Sequence, residues 1–383
     1  MTASPISRRP STRGTSGAEN DVRVAGRPPY IPGVLKKIGY DAEVARAAGR
    51  WAGASDASVG RVARVDRGMT SVLTDVGPVR ASLGAGLLAR VAADRTEGPA
   101  TGDWCVVQTW PDHRVTLERI LPRRTAVVRA VAGEQSHGQV LCANVDVAAV
   151  VVALHPLPVL AKVERLLALS WESGARPLVV LTKADLVADA DLVAEDVAAV
   201  TPDVDVVVVS AESGRGVQAL RDRLEGRLTL AMLGASGHGK SSLTNALVGA
   251  QVLATRGIRE DGRGRHTSVR RELVPLPDGG AVIDTPGLRG VGLIDAEHGM
   301  AQTFADVETF SHECRFTDCA HESEPGCAVR EAVAQGALPL RRFESWQHLQ
   351  RELRWIAARK DARLRSEHVA ERKRRSRDGW NGR

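Results

Sequence analysis

Eight residues, Gly234-Ala-Ser-Gly-His-Gly-Lys-Ser241, constrain the fold more than any other stretch of this chain. They match G-x-x-x-x-G-K-[ST] and stand between an apolar run, Leu228–Leu233, and a run with helical spacing, Ser241–Val248. Strand, glycine-rich loop and helix in that order make a phosphate cradle. The glycines let backbone N–H groups curl around an anion, and the helix N-terminus adds partial positive charge. Gly234, Ala235, Ser236, Gly237, His238, Gly239, Lys240, Ser241 and Ser242 are therefore candidate nucleotide contacts. Lys240 is expected to reach the β- and γ-phosphates, and the Ser241 hydroxyl to meet Mg²⁺.

A second apolar run, Ala281–Ile283, ends in Asp284-Thr-Pro-Gly287, 44 residues after Lys240. A carboxylate at a strand end suits the second magnesium contact, held through water, and the Gly287 N–H suits the terminal phosphate. The base is addressed upstream. Thr182-Lys-Ala-Asp185 follows the apolar run Leu178–Leu181, and Ser210-Ala-Glu212 ends another. Asp185 can accept from guanine N1–H and the exocyclic amine together. Adenine lacks that donor pair and would leave the carboxylate unpaired. Lys183 is expected to lie along the base, and the backbone N–H at Ser210–Ala211 to meet guanine O6. Thr182 occupies the position usually held by Asn.

The order of these motifs is unusual, because the base-reading pair precedes the phosphate loop. A parallel sheet tolerates such a circular permutation if the old termini were neighbours. The join is expected at Glu225–Arg227. Apolar strands alternating with helices from Val145 onward predict an α/β domain with a mostly parallel sheet over 135–295.

Ahead of it, short β-prone runs at Val59–Val65, Thr70–Thr74, Val79–Ala81, Leu88–Val91, Trp104–Gln108 and Arg114–Ile120 alternate with turn residues. About 65 residues of this texture suit a five-stranded OB-type barrel, placed at 58–130. Residues 1–57 are rich in Arg, Pro, Ser and Gly without a sustained period and are expected to be mostly disordered. Residues 296–383 are expected to form a mainly helical, metal-binding domain with a basic tail, making the chain multidomain.

The metal expectation rests on Cys314-x4-Cys319-x-His321-x5-Cys327. Three thiolates and one imidazole complete a tetrahedral set, which indicates one structural Zn²⁺ rather than a catalytic one. His312 is a spare ligand outside the compact spacing. Cys105 and Cys142 sit alone in apolar runs and are expected to be small buried hydrophobes. Beyond the cluster, Phe343, Trp346, Leu349, Leu353 and Ile356 recur at helical spacing and are expected to pack against the zinc unit.

The net charge of +6 is concentrated at the ends, since residues 351–383 alone carry 12 Lys/Arg against 5 Asp/Glu. Basic ends around an acidic body point to a polyanion, with RNA the candidate and a solubilising tail the alternative. No stretch approaches about 20 uninterrupted apolar residues. The first 20 residues lack the apolar core of a secretory signal. A cytoplasmic monomer without a membrane partner is expected.

Between Lys240 and Asp284, the glycine- and charge-rich stretch Gly257–Ser268 predicts a loop. Thr267 is the candidate to close on Mg²⁺ in the triphosphate state. His266 either positions the attacking water or is an exposed loop histidine. Here the chain resembles the RsgA family of small ribosomal subunit biogenesis GTPases, from about Val59 to beyond Cys327. The resemblance rests on the permuted order, on Gly234–Leu243, on Gly262–Thr267, on Asp284–Gly287 and on the cysteine cluster. It implies GTP hydrolysis during late assembly of the small (30S) subunit, rRNA binding, turnover stimulated by the subunit, and release on hydrolysis to GDP. Two positions depart from common patterns: His238, often Val in the family, and Leu288, where Ras-type GTPases carry a glutamine. With no glutamine to hold the water, His266 becomes the preferred residue for that task, alongside Lys240 and Thr267. Two other readings stand beside this one, a nucleotide-gated RNA-binding module with negligible turnover and an ATP-dependent P-loop kinase. Asp185 argues against the second.

Overall fold

The computed structural model describes residues 33–49, 51, 56–130, 138–224, 226–253, 271–288 and 292–360. His266, Thr267 and the basic residues after Lys360 lie outside them.

Two short helices come first, α1 (Val34–Lys37) and α2 (Ala42–Ala48). Asp41 caps α2 by accepting from the backbone N–H groups of Glu43 and Val44. This segment falls within residues expected to be disordered, and it is ordered because Val34, Leu35, Ile38, Val44 and Ala48 join the main core. Their partners lie far away in sequence, so local composition gave no sign of them.

Next come β1 (Ala57–Asp66), β2 (Met69–Thr74), β3 (Gly77–Leu83), α3 (Ala85–Ala93), β4 (Trp104–Thr109) and β5 (Val115–Ile120). The strands close into a barrel in the order β1-β2-β3-β5-β4, with β3–β5 the parallel pair. Val62, Val72, Ala81, Cys105, Val107 and Leu117 fill the interior. Closure removes the free strand edges that an open sheet would expose. The run Leu88–Val91, expected as a strand, is helical: it belongs to α3, which delivers Leu87 to the barrel interior and leaves Leu88 exposed. A four-residue apolar run does not distinguish the two conformations, and the tertiary contact decides.

A hairpin, β6 (Ala126–Ala130) with β7 (Gly138–Ala143), follows. It spans the 130–135 boundary drawn from sequence. The central domain then runs β8 (Val147–Ala153), α4 (Leu160–Glu172), β9 (Arg176–Thr182), α5 (Ala190–Ala198), β10 (Val206–Val208), α6 (Val217–Asp222), β11 (Thr229–Leu233), α7 (Lys240–Val248), β12 (Glu272–Pro275) and β13 (Ala281–Asp284). Its six strands are ordered β10-β9-β8-β11-β13-β12, and β12 alone is antiparallel. Every residue of β8 and β11 is buried. Val147, Ala149 and Val151 face α6 and α7 through Leu220, Leu243 and Leu247. Ala148, Val150 and Val152 face the other layer, with Val163 and Leu167 of α4. Just before β11, where the permutation join is expected, Gly226 and Arg227 have φ of 86° and 81°.

The chain ends in α8 (Glu297–Thr303), α9 (Ala305–Ser311), α10 (Ala328–Ala334) and α11 (Leu340–Lys360). Phe343, Leu349, Leu353 and Ile356 are buried, as expected of the stripe on α11. Trp346 packs near the His321 ring, with centroids 5.5 Å apart. The helix is also clamped to α4. The buried Glu164 pairs with Arg341 at 2.9 Å and Arg342 at 3.1 Å, and Arg165 pairs with Glu352 at 2.6 Å. Arg342 spends its remaining donors on Asp306 and the Thr303 and Val200 carbonyls, so this buried charge network is well satisfied. Among the described residues, no helix is long and apolar enough to cross a membrane.

Candidate nucleotide site and metal centre

The carboxyl ends of β9, β10, β11 and β13 lie along one edge of the sheet, where ligands settle in open α/β folds. On this edge the structure gathers Thr182, Lys183, Asp185, Ser210, Ala211, residues 234–242, Asp284 and Gly287. Ser242, one turn into α7, points to solvent.

The phosphate loop turns through Gly237 and Gly239, whose φ values of 84° and 79° suit glycine, and α7 begins at Lys240. Lys240 is 6% exposed, and its Nζ donates to the carbonyls of Gly234 (2.9 Å) and Ala235 (2.8 Å). Those carbonyls occupy the ammonium as phosphate oxygens would. Burial pushes the Lys240 pKa down to about 8, against the opposing attraction of Asp284. Ser241 Oγ donates to Asp284 Oδ2 at 2.7 Å, so two of the three expected magnesium residues are already together. This pairing fits a direct hydroxyl contact with Asp284 reaching the ion through water, as the sequence suggests.

The turn after β13 is docked on the loop. Thr285 Oγ1 donates to the Met232 carbonyl at 2.5 Å, and Leu288 N–H donates to the Gly234 carbonyl at 3.0 Å. A Cβ on Gly287 would lie 2.4 Å from Ser236 N, so a larger residue there would push the two loops apart.

On the base side, Ser210 is fully buried and its hydroxyl donates to Asp185 Oδ1 at 2.5 Å. The Ser213 N–H donates to the same hydroxyl at 3.1 Å, which fixes its orientation. Asp185 itself is exposed to the cleft. Lys183 adopts the left-handed conformation (φ 62°), and burial lowers its pKa against the pull of Asp185.

The two sides meet at Thr182, whose hydroxyl donates to the His238 carbonyl at 2.7 Å. Thr182 thus bonds directly to the phosphate loop, a link its local sequence did not reveal. His238 turns its ring onto β8, with Nδ1 donating to the Val151 carbonyl at 3.0 Å. Burial lowers its pKa and favours the neutral ring, and Lys240, Lys183 and Lys162 act in the same direction.

The second candidate site joins the end of α9 to the start of α10. The ligand atoms of Cys314, Cys319, His321 and Cys327 all lie within 4.8 Å of one another. Cys314 Sγ is 3.9 Å from Cys327 Sγ and 3.5 Å from His321 Nδ1, and His321 Nδ1 is 3.3 Å from Cys327 Sγ. Sulfurs bound at ~2.3 Å to one tetrahedral ion stand about 3.8 Å apart, so the cluster fits a metal of that kind. His312 caps α9 and is not part of the group. Cys105 and Cys142 are fully buried, and burial raises both thiol pKa values, that of Cys142 to about 12. They behave as the small hydrophobes expected of them.

Comparison with known proteins follows the same lines. A family model described as RsgA GTPase matches residues 120–294. The small ribosomal subunit biogenesis GTPase RsgA of Streptomyces coelicolor is 50% identical over 320 residues, covering 82% of this chain and 86% of its own. RsgA 2 of Lactiplantibacillus plantarum is 39% identical over 296 residues, covering 77% and 83%. Among solved structures, YjeQ from Thermotoga maritima aligns with a TM-score of 0.56 at 24% identity, over 78% of this chain and 98% of that one. YloQ, a circularly permuted GTPase, aligns with a TM-score of 0.54 at 24% identity, over 80% and 97%. At that identity the two structures bear on the fold alone.

Proposed function

This chain belongs to the RsgA GTPase family and is a GTP-hydrolysing enzyme with a role in ribosome biogenesis, and we propose that it acts on the small (30S) subunit during its maturation. The observation that carries the reading is the joint geometry of the cleft. The Ser210–Asp185 pair and the Ser241–Asp284 pair stand on one sheet edge, on either side of a complete phosphate loop.

Asp185 accepts from guanine, with Lys183 along the base and the Ser210–Ala211 backbone towards O6. The N–H groups of residues 234–242 receive the phosphates, and Lys240 moves from the loop carbonyls onto the β- and γ-oxygens. Ser241, Asp284 and Thr267 would hold Mg²⁺, which would supply positive charge beside the phosphates. Gly287 senses the terminal phosphate through its N–H, and His266 orients the attacking water. Leu288, buried against the loop, has no group to do so. Cys314, Cys319, His321 and Cys327 hold one structural Zn²⁺.

The barrel (58–130) and the metal-bearing unit (296–383) flank the GTPase domain (135–295) and grip rRNA, assisted by the basic C-terminal residues. GTP favours the bound state, and hydrolysis to GDP releases a cytoplasmic monomer from the subunit. Clamping of α11 to α4 by the buried Arg342–Glu164 pair and the half-buried Arg165–Glu352 pair supports transmission between the nucleotide edge and the C-terminal unit. The test is GTP turnover with and without purified small subunits, with acceleration expected. Unchanged turnover would remove the ribosomal part of the reading and leave the GTPase part standing. His266→Ala should abolish stimulated turnover while GTP binding is retained.

A further inference from the structure

Away from the nucleotide edge, a cavity of about 420 Å³ opens where the barrel, the β6–β7 hairpin and the turn after β13 meet. Arg67 lines it from the β1–β2 turn, Arg95 from the segment after α3, Gln139 from β7, and Pro286 from the D-T-P-G turn. Arg271, the residue before β12, completes the lining. Its Nε is buried and has no hydrogen-bond partner among the described residues.

Such a guanidinium is costly. Arg271 as a whole is half-buried, and a cation drawn part-way from water without a hydrogen-bonded counter-charge forfeits hydration that nothing replaces. Burial lowers the Arg271 pKa, and the like charge of Arg129 lowers it further, against an opposing pull from Cys142. Arg129 is held nearby by two bonds to Gln139 Oε1, at 3.1 and 3.0 Å. Among the described lining residues the one carboxylate, Asp66, is engaged by Arg64 at 3.1 Å. Arg64 in turn reaches Glu272, beside Arg271, at 3.7 Å. The acidic groups at this junction are thus already drawn to Arg64, while Arg67 and Arg95 stand exposed at the rim.

We propose that this cavity receives a backbone phosphate of an RNA strand, with Arg271 meeting the phosphate at its floor and Arg67 and Arg95 following the strand across the mouth. An enclosed site for a small anion would bury all its cations. Here two of the three described cations are exposed and the third is half-buried, so the positive charge continues beyond the pocket as a polyanion does. Pro286 immediately precedes Gly287, so a strand seated here touches the turn that closes on the phosphate loop. The inference rests on the RNA-binding reading above and adds to it a particular site.

The experiment titrates the full chain against a fluorescein-labelled single-stranded RNA of about twelve nucleotides at several salt concentrations. Arg271→Gln should weaken binding about tenfold and flatten the slope of log K against log[salt] by about one, the signature of one lost phosphate contact. Arg67→Ala/Arg95→Ala, which alters only exposed side chains, should flatten it by about two. Affinity for a fluorescent GTP analogue should stay unchanged in both variants and reports intact folding. Inorganic phosphate should compete with RNA more strongly than chloride at equal ionic strength. Unchanged slopes in both variants would overturn the site. Tighter binding of polyglutamate than of RNA would overturn it in favour of an acidic protein partner. Phosphate protection without any RNA binding would overturn the RNA assignment. Subunit-stimulated turnover of the wild type tests the preceding reading separately.

Discussion

On the phosphate side of the cleft, Lys240 is buried at 6% exposure and the loop is braced by backbone, with Leu288 N–H on the Gly234 carbonyl and Gly287 against Ser236. On the base side, Asp185 is exposed and its position depends on a hydroxyl donated by Ser210. One half is formed by the fold itself, and the other by side chains reaching between the loops after β9 and β10. The phosphate half should therefore tolerate little change at its buried centre. The base half should be retuned by single polar substitutions without loss of the fold. Thr182 belongs to both, because it ends β9 and bonds the loop through the His238 carbonyl.

The largest effect should come from Lys240→Ala. Loss of a buried charged contact to phosphate costs affinity on the order of 10²–10³-fold, measured with a fluorescent GTP analogue. Retention of wild-type affinity would break the contrast at its stronger end. Asp185→Asn should lower GTP affinity about 10²-fold and raise affinity for xanthosine triphosphate, since a donor replaces an acceptor opposite the base. A similar loss for both nucleotides would mean that Asp185 positions the loop rather than reads the base.

Thr182→Val keeps the shape and removes the hydroxyl, which should weaken GTP and GDP alike by about five- to tenfold. A guanosine competition assay tells whether the base side alone has suffered.

The smallest effect is one of pH. The Lys240 pKa is held down to about 8 by burial, and phosphate oxygens restore the proton on binding. Binding should thus take up protons above about pH 8, and affinity should fall as pH rises, seen by calorimetry in buffers of differing ionisation enthalpy. The stability effect has the opposite slope. Between about pH 8 and the ordinary lysine range the unfolded chain holds the extra proton, so the cost of burying Lys240 is full below pH 8 and fades above it. Lys240→Met should remove both trends.

Much of this architecture was legible because its signals are local. The apolar run over Asp146–Leu154 became β8, and the spacing of four metal-type ligands within fourteen residues placed them together. The phosphate loop carried its own context of strand and helix. What stayed hidden depends on distant partners. The hairpin β6–β7 has no tight-turn dipeptide to announce it, and β12 owes its place to β13 beside it. The partial burial of Arg271 follows from three segments closing around one side chain, which no window of sequence displays. The same holds for the Thr182–His238 link, made across 56 residues.

One such long-range contact bears on the order in which the molecule is made. The Lys37 carbonyl at the end of α1 accepts from Gly280 N–H at 2.8 Å, and the fully buried Arg61 ties the Ile38 carbonyl to that of Asn144. A ribosome completes the barrel strands well before it reaches Gly280. The carbonyl end of α1 therefore waits for nearly the last strand of the GTPase domain before it is satisfied. Chain emerging from the exit tunnel up to β11 would carry a closed barrel on which α1 rests through Arg61 and Asp75, with the Lys37 carbonyl still unmet by Gly280. The Lys37–Gly280 bond is thus a mark of a completed GTPase sheet.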